Sequence, residues 1–173
     1  MALRLFFALW PDADVTRQLT QTARQLMLEG RSRCVDPKNY HVTLAFIGEA
    51  PATKLAVLQQ IGRSLRAPRF TFTCDSLEFW RKAQVVVAAA QAAPPGLLDL
   101  WRKLHDAIGM PPQRLRAHVT LARKVTQASV PQAMSPVVWR ATNFSLIRSD
   151  TGGAESAYTV VDTWSLLDEM QNR

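Results

Sequence analysis

The chain has 173 residues, 47% of them hydrophobic, which is ample for one globular domain with its own core. Its formal net charge of +7 favours polyanionic partners, although a merely basic surface fits the charge equally well. Two cysteines, Cys34 and Cys74, are too few for a disulfide framework, so we expect reduced thiols and a cytoplasmic protein. We expect no membrane span and no signal peptide, because the N-terminal apolar run is short and ends at Pro11.

The first part of the chain predicts a strand, a helix and a second strand. Leu3 to Trp10 is apolar and aromatic, which indicates a buried strand. Asp12 or Asp14 then caps a helix that Gly30 ends. The apolar face of this helix comprises Val15, Leu19, Ala23, Leu26 and Met27. The next strand reads HVTLAFIG from His41 and is closed by Gly48.

The middle of the chain predicts two helices separated by three strands. Pro51 opens the first of these helices, and Pro68 ends it. The strands are expected at Phe70–Cys74, Leu77–Trp80 and Val85–Ala90. The other helix begins near Gly96 and ends at Gly109, with a core stripe of Leu97, Trp101, Leu104 and Ile108. His105 lies on the same face, and we interpret it as a residue at the edge of the core.

The last third predicts another short strand and a hairpin. A strand starts at His118, and residues 126 to 136 form a connection. Val137–Ser149 and Tyr158–Leu167 then read as the two strands of a hairpin around a loop of turn-forming residues. Each half of the chain thus reads strand, helix, histidine strand. The order predicts an α+β fold in one domain, residues 1–173.

One pentapeptide occurs twice: His41-Val42-Thr43-Leu44-Ala45 recurs as His118-Val119-Thr120-Leu121-Ala122. Side chains alternate along a strand, so each histidine shares a face with the threonine two residues later. The valine and leucine point to the opposite face and anchor the strand in the core. A single histidine in an apolar run is usually structural, but two copies of the same context favour a shared function over coincidence.

Two histidines and two threonines suit acid–base chemistry on a phosphate. They are too few for a structural zinc site, which takes four ligands, and no carboxylate or cysteine stands beside either copy at ligand spacing. One imidazole can accept a proton near neutral pH while the other donates one. Two hydroxyls can hold the oxygens of an anion. Cleavage of a phosphodiester requires both the proton transfers and the binding of the phosphate oxygens.

The paired motif, the opening RLFFALWPD and the continuation HVTLAR to Arg123 resemble the 2H phosphoesterase superfamily and its bacterial RNA 2′,3′-cyclic phosphodiesterase branch, also described as 2′-5′ RNA ligase-like. The resemblance implies two pseudo-symmetric lobes of mainly antiparallel sheet around a central cleft, with helices outside. It implies metal-independent hydrolysis of RNA 2′,3′-cyclic phosphate ends to 2′-phosphates, with no cofactor. Reverse 2′-5′ ligation is expected as a minor activity. We expect a monomer that acts on RNA ends or nucleoside 2′,3′-cyclic phosphates.

The resemblance also implies roles for five residues. His41 is the proton donor, His118 the proton acceptor, and Thr43, Thr120 and Arg123 bind the substrate. The two motifs are too alike for the residues themselves to decide which histidine is the acid. Arg123 has odd parity relative to His118, so in a regular strand it faces away, and only a bulge or the strand end turns it into the site.

Two alternatives remain open on sequence grounds. The same catalytic pair can serve a different cyclic phosphate or a 2′-5′ oligonucleotide, and a panel of substrates separates these. A protein of another class, which binds RNA without catalysis, would use its basic charge and stack bases on aromatics such as Phe6, Phe7, Trp10 and Trp80. Binding alone gives no reason for two matched histidine strands.

Overall fold

The computed structural model describes residues 2–111, 114–128, 130, 133–150 and 157–168. These residues form two antiparallel sheets and three α-helices, which confirms the predicted α+β class. In chain order the elements are β1 (Ala2–Leu9), α1 (Ala13–Arg24), β2 (Arg33–Cys34), a 3₁₀ helix (Pro37–Asn39), β3 (Val42–Pro51), α2 (Lys54–Ser64), β4 (Phe70–Trp80), β5 (Val85–Ala89), α3 (Pro95–Ile108), β6 (His118–Arg123), β7 (Ala133–Ala141), β8 (Asn143–Asp150) and β9 (Ala157–Ser165). Across the described part of the chain, no helix combines the length and apolar character that crossing a membrane requires.

The two sheets are built around the same unit. One sheet has the order β3-β1-β8-β9 and the other the order β2-β6-β5-β4-β7. In each sheet a histidine-motif strand pairs antiparallel with the strand that precedes a helix: β1, α1 and β3 in the first, β5, α3 and β6 in the second. The internal repeat of strand, helix and histidine strand therefore appears in three dimensions.

One face of each sheet is buried against the main core, and the opposite face, called the open face here, carries only two small buried clusters, around Phe6 and Val87. The helices pack on the buried faces, α1 against β6 and β7, α2 against β3, β8 and β9, and α3 against β3 and β4. A single core cluster joins residues of both sheets, among them Phe7, Leu121 and Trp139. At Gly62 of α2 the packing is so close that a Cβ atom would lie 2.4 Å from the ring of Trp164. His41 and His118 lie on the open faces, beside Phe6 and Trp80.

The first helix is shorter than the sequence predicts. Asp12 caps it by accepting a hydrogen bond from the Val15 N–H at 2.8 Å. The helix ends at Arg24 and not at Gly30. Met27 is 82% exposed, so the prediction that it belongs to the apolar face of this helix is wrong. The reason is tertiary: Leu28 forms an antiparallel bridge with Ala128, which draws the chain out of the helix.

The predicted end of the first histidine strand at Gly48 is also wrong, because β3 continues to Pro51. Consequently Pro51 does not open the next helix, which begins at Lys54. Gly48 has a φ of +76° and pairs with Leu5 beside a shift in register. A glycine accepts this backbone conformation without strain, so the strand bulges there and carries on.

The predicted strands Phe70–Cys74 and Leu77–Trp80 are one strand, β4, with an irregularity at Asp75. The shift changes which parity faces the core: Cys74 is fully buried before it and Leu77 is buried after it. Because of this shift, Glu78 and Trp80 lie on the open face. The sequence break that suggested two strands is a bulge within one.

The predicted strand Val137–Ser149 is two strands in different sheets. β7 pairs with β4 and β8 pairs with β1, and the chain crosses between the sheets at Thr142. The carbonyl of Thr142 accepts a hydrogen bond from the Leu166 N–H at 2.8 Å, which fixes the crossing. The pairing of β8 with β9 does form the expected hairpin. Residues 151–156 of its predicted loop lie outside the described residues.

The third helix ends as predicted, with Gly109 at a φ of +73°. Its core stripe differs in one place, because Leu100 is buried and Trp101 lies half-buried beside His105, 4.2 Å between ring centroids. His105 is itself buried, and its Nδ1 donates to the carbonyl of Trp101 at 2.8 Å. These contacts fit the structural part predicted for this histidine.

Candidate active site

The two copies of the pentapeptide fold alike, including a bulge at the same letter. In β3, Thr43 pairs with Ala8 and Ala45 with Phe7, which leaves Leu44 without a partner in the ladder. In β6, Thr120 pairs with Val87 and Ala122 with Val86, which leaves Leu121 without one. An extra residue on one strand shifts the parity of everything after it. The residue five positions after each histidine therefore returns to the histidine face.

Arg123 is one of these residues. The bulge at Leu121 turns it to the histidine face, although its position is odd relative to His118. It lines the cavity beside His41 together with Thr43. Its positive charge lowers the pKa of His41 and also that of His118, so it lies within electrostatic reach of both imidazoles. The sequence left two ways to bring Arg123 to this side, a bulge or the strand end, and the structure has the bulge.

Each catalytic candidate has a ring orientation set by the backbone two residues before it. His41 Nδ1 lies 2.7 Å from the carbonyl oxygen of Asn39, and His118 Nδ1 lies 2.7 Å from that of Arg116. A carbonyl oxygen can only accept, so in both rings the proton is on Nδ1. The Nε2 atom of each neutral imidazole is left as the atom that exchanges protons.

His41 lies in an aromatic enclosure. The ring of Trp10 is stacked on it with centroids 5.3 Å apart, and Phe6 and Tyr158 lie 5.1 Å and 5.3 Å away. Burial by these rings lowers the pKa of His41 to about 4, with smaller contributions in the same direction from Arg123 and His118. The hydrogen bond to Asn39 opposes this shift. In the ligand-free protein His41 is therefore neutral at pH 7.

His118 has a more polar environment. Burial lowers its pKa, but the nearby charge of Glu78 acts in the opposite direction. Glu78 accepts hydrogen bonds from Trp80 Nε1 at 2.8 Å and from Arg116, and Trp80 lies 4.4 Å from the His118 ring. Burial raises the pKa of Glu78, yet these hydrogen bonds outweigh it and lower the pKa, so the carboxylate stays charged. The two histidines thus share a backbone geometry and differ in electrostatics.

The cavity beside His41 has an open volume of about 560 Å³. Of the predicted site residues it contains His41, Thr43 and Arg123. His118 and Thr120 lie on the facing strand β6, which approaches β3 where the sheets meet. The cavity is also lined by Phe6, one of the aromatics considered from the sequence for stacking. Its other lining residues were not predicted from the sequence: Arg4, Phe46, Ser149 and Tyr158.

Phe46 is the residue that a closer comparison of the two copies would have found, because it stands five positions after His41 as Arg123 stands five after His118. Phe46 is 46% exposed, and the guanidinium of Arg4 lies 4.9 Å from the centroid of its ring. By contrast, Trp10 and Trp80, considered from sequence as stacking platforms, contact the two histidines. The open aromatic surface in the cavity is Phe46.

The described residues contain no group of three or more histidine, cysteine and acidic side chains placed to hold a metal ion.

Comparison with known proteins shows the family to which the chain belongs. Residues 9–87 match the model described as LigT like Phosphoesterase. A solved structure of Escherichia coli LigT complexed with NADP+ is 30% identical, with a TM-score of 0.86 over 96% of this chain and 99% of that one. The chain belongs to the LigT-like phosphoesterase family, within the 2H superfamily. The predicted family is therefore confirmed.

Two further members extend the likeness. The RNA 2′,3′-cyclic phosphodiesterase of Escherichia coli (strain K12) is 28% identical over 169 residues, which cover 94% of this chain and 96% of the relative. A structure of Escherichia coli LigT complexed with 3′-AMP is 30% identical, with a TM-score of 0.85 over 96% of this chain and 99% of that one. The similarity to this phosphoesterase family extends over both sheets and both histidine strands.

The lowered pKa of His41 predicts acid sensitivity of the fold. At pH values between the ordinary pKa of 6.5 and about 4, His41 binds a proton in the unfolded chain but stays neutral in the folded chain. The free energy of unfolding therefore falls as the pH decreases through this window, by up to about 3 kcal/mol from this group. Urea denaturation from pH 7.5 to 4 should show a shallower pH dependence in His41→Gln than in the wild type. Equal slopes would contradict the assignment.

Proposed function

We propose that this protein hydrolyses RNA 2′,3′-cyclic phosphate ends to 2′-phosphates without a metal ion, using His41 and His118 as its acid and base. One observation carries the proposal: two imidazoles from facing strands each have Nδ1 fixed by a carbonyl at 2.7 Å, which leaves both Nε2 atoms for proton transfer. The relative named RNA 2′,3′-cyclic phosphodiesterase supports the substrate class, and the structure with 3′-AMP supports a nucleotide ligand.

The reaction balances with two proton transfers. His118 Nε2 takes a proton from water as the water oxygen attacks phosphorus. The bond between phosphorus and the ribose 3′ oxygen breaks, and protonated His41 gives that oxygen its proton. The phosphate remains on the 2′ oxygen. Each acid or base in position contributes about 10²–10⁴-fold to the rate.

His41 must gain a proton before it can act as the acid. Its pKa of about 4 in the ligand-free protein leaves it neutral at pH 7. A bound phosphodiester brings a negative charge close to the ring and offsets the charge of Arg123, so both changes raise the pKa. The substrate therefore supplies the electrostatic condition for its own cleavage. His41 therefore stays unprotonated at pH 7 while no substrate is bound.

Thr43, Thr120 and Arg123 hold the phosphate in this proposal. Thr43 and Arg123 line the cavity beside His41, and Thr120 shares a strand face with His118. Hydroxyl and guanidinium donors aimed at the phosphate oxygens stabilise the charge that grows in the transition state. The exposed ring of Phe46 is the surface on which the base of the terminal nucleotide stacks.

We also infer a single-domain, monomeric protein of the cytoplasm. The core cluster that includes residues of both sheets favours one domain. Cys34 and Cys74 are both free, as expected in a reducing compartment.

The deciding experiment is hydrolysis of a nucleoside 2′,3′-cyclic phosphate in the presence of EDTA, with the product identified by phosphorus NMR. We expect turnover that EDTA does not change, and a 2′-phosphate as product. A parallel panel contains a 3′,5′-cyclic nucleotide and a 2′-5′ dinucleotide. A strict requirement for metal would overturn the mechanism, and preference for another member of the panel would overturn the substrate.

A further inference from the structure

Glu78 of β4 lies on the open face of the second sheet and has no part in the reaction described above. It pairs with Val87 of β5, which in turn pairs with Thr120 of β6, so the three residues form one row across the sheet. Trp80 follows on the same face and packs against the short side chains of β5. Side chains of β4 can therefore reach across β5 to His118, the histidine of β6.

Glu78 binds both groups that fix the ring of His118. Its carboxylate accepts a hydrogen bond from Trp80 Nε1 at 2.8 Å, and the Trp80 ring lies 4.4 Å from that of His118. It also forms an ion pair with Arg116, whose carbonyl oxygen lies 2.7 Å from His118 Nδ1. The hydroxyl of Ser76 donates a further hydrogen bond at 3.2 Å. One carboxylate thus holds the aromatic neighbour of His118 and the residue that orients it.

The charge of Glu78 favours the protonated form of His118. Burial is the largest cause that lowers the pKa of His118, and the guanidinium groups of Arg116 and Arg123 lower it further, whereas Glu78 raises it. His41, in the other sheet, is the remaining titratable group that interacts with His118. When His118 takes a proton from water, a cation forms beside two arginines. A nearby carboxylate stabilises that cation, the more so because its side chain is only partly exposed.

His41 has the same backbone geometry in a different environment. Its ring is enclosed by Phe6, Trp10 and Tyr158, and the charges that act on it, Arg123 and His118, both lower its pKa. An imidazole in such surroundings gives up a proton readily, as an acid must. The carboxylate beside the other histidine is thus a physical difference between two motifs that are alike in sequence.

We propose that Glu78 is a positioning residue that makes His118 the general base. It holds Trp80 and Arg116 around the ring and supplies the counter-charge for the imidazolium that forms when His118 takes a proton from water. The inference rests on the proposed function and adds a residue to its base. The proton stays on His118 Nε2 until it returns to solvent, and Glu78 remains a carboxylate throughout.

Two variants that break the same ion pair from opposite sides test the proposal. Proton NMR titration of the ligand-free protein gives the pKa of His118, whose signals are identified by their loss in His118→Ala. Glu78→Gln should lower this pKa, because a negative charge is removed, and Arg116→Gln should raise it, because a positive charge is removed. A merely structural ion pair would give shifts in the same direction, and that result would overturn the proposal.

Kinetics on a nucleoside 2′,3′-cyclic phosphate supply the second readout. Glu78→Gln should lower kcat by about threefold to tenfold, a small part of the 10²–10⁴-fold that a general base contributes, with little change in KM. The matched control is Asp75→Asn, which removes the same charge from the same strand at a carboxylate that accepts from the Gln91 N–H at 3.1 Å. It should leave kcat and the titration of His118 at their wild-type values.

Failure of the inference and failure of the proposed function give different results. If the wild type turns over the cyclic phosphate but Glu78→Gln leaves the His118 titration unmoved, the role of Glu78 is refuted and the proposed function stands. If the wild type turns over no cyclic phosphate, the proposed function is refuted, and the role of Glu78 is refuted with it.

Discussion

His41→Ala and His118→Ala should each lower kcat by about 10²–10⁴. Both rings present Nε2 and nothing else to the reaction, because Nδ1 of each is bonded to a backbone carbonyl. Alanine at either position removes the proton relay at one end, and the remaining imidazole cannot serve both. The double variant should therefore be little worse than the more damaging single variant, as is usual for groups that act as a unit. Steady-state kinetics on a cyclic phosphate measure all three.

His105 provides the matched control. It is the third histidine of the chain, buried in α3 with its Nδ1 bonded to the carbonyl of Trp101, and it does not line the cavity beside His41. His105→Gln should lower the thermal midpoint and leave kcat per folded molecule near the wild-type value. The His41 and His118 variants should show the reverse, with near-native far-UV spectra and little turnover. If kcat fell equally in all three variants, loss of folding and not of chemistry would explain the result.

The local pattern was enough to predict the histidine faces. Alternation over five residues puts His41 and Thr43 on one side and Val42 on the other, and burial follows that division: Val42 is 1% exposed, and the histidine and threonine are half-buried. The same argument held for the second copy. Alternation is a property of the strand alone, so no knowledge of neighbours was required.

The features that the sequence did not predict depend on how the strands pair with one another. The bulges at Leu44 and Leu121 exist only in the register with β1 and β5, and they decide that Phe46 and Arg123 face the site. Tyr158, more than a hundred positions after His41, reaches its ring through the pairing of β8 with β9.

The crossing at Thr142 did leave a trace in the sequence. Trp139 and Ala141 are buried at odd positions, whereas Phe144 and Leu146 are buried at even ones, so the apolar parity changes where the chain passes between sheets. A continuous strand would have kept one parity. The apolar run at 144–147 conceals the change, because its residues are buried at both parities.

Arg123→Gln should lower kcat/KM by about 10²–10³ and move both limbs of the pH–rate profile to higher pH. The loss follows from removing a preorganised donor to the phosphate. The shift follows from electrostatics, because the charge of Arg123 lowers the pKa of His41 and of His118, and neutral glutamine releases both. Proton NMR titration of the two imidazoles in the ligand-free protein measures the shift apart from turnover.

Two further variants separate charge from geometry. Arg123→Lys keeps a positive charge and loses the planar fork, so it should lower kcat/KM while leaving the two histidine pKa values near those of the wild type. Lys124→Gln removes one charge at the next position, which is exposed and does not line the cavity beside His41. It should change neither kcat/KM nor the pKa values of the two histidines. If Arg123→Gln left both imidazole titrations unmoved, the bulge at Leu121 would not bring the guanidinium to the histidines. Arg123 would then be an ordinary surface charge and would not bind the phosphate.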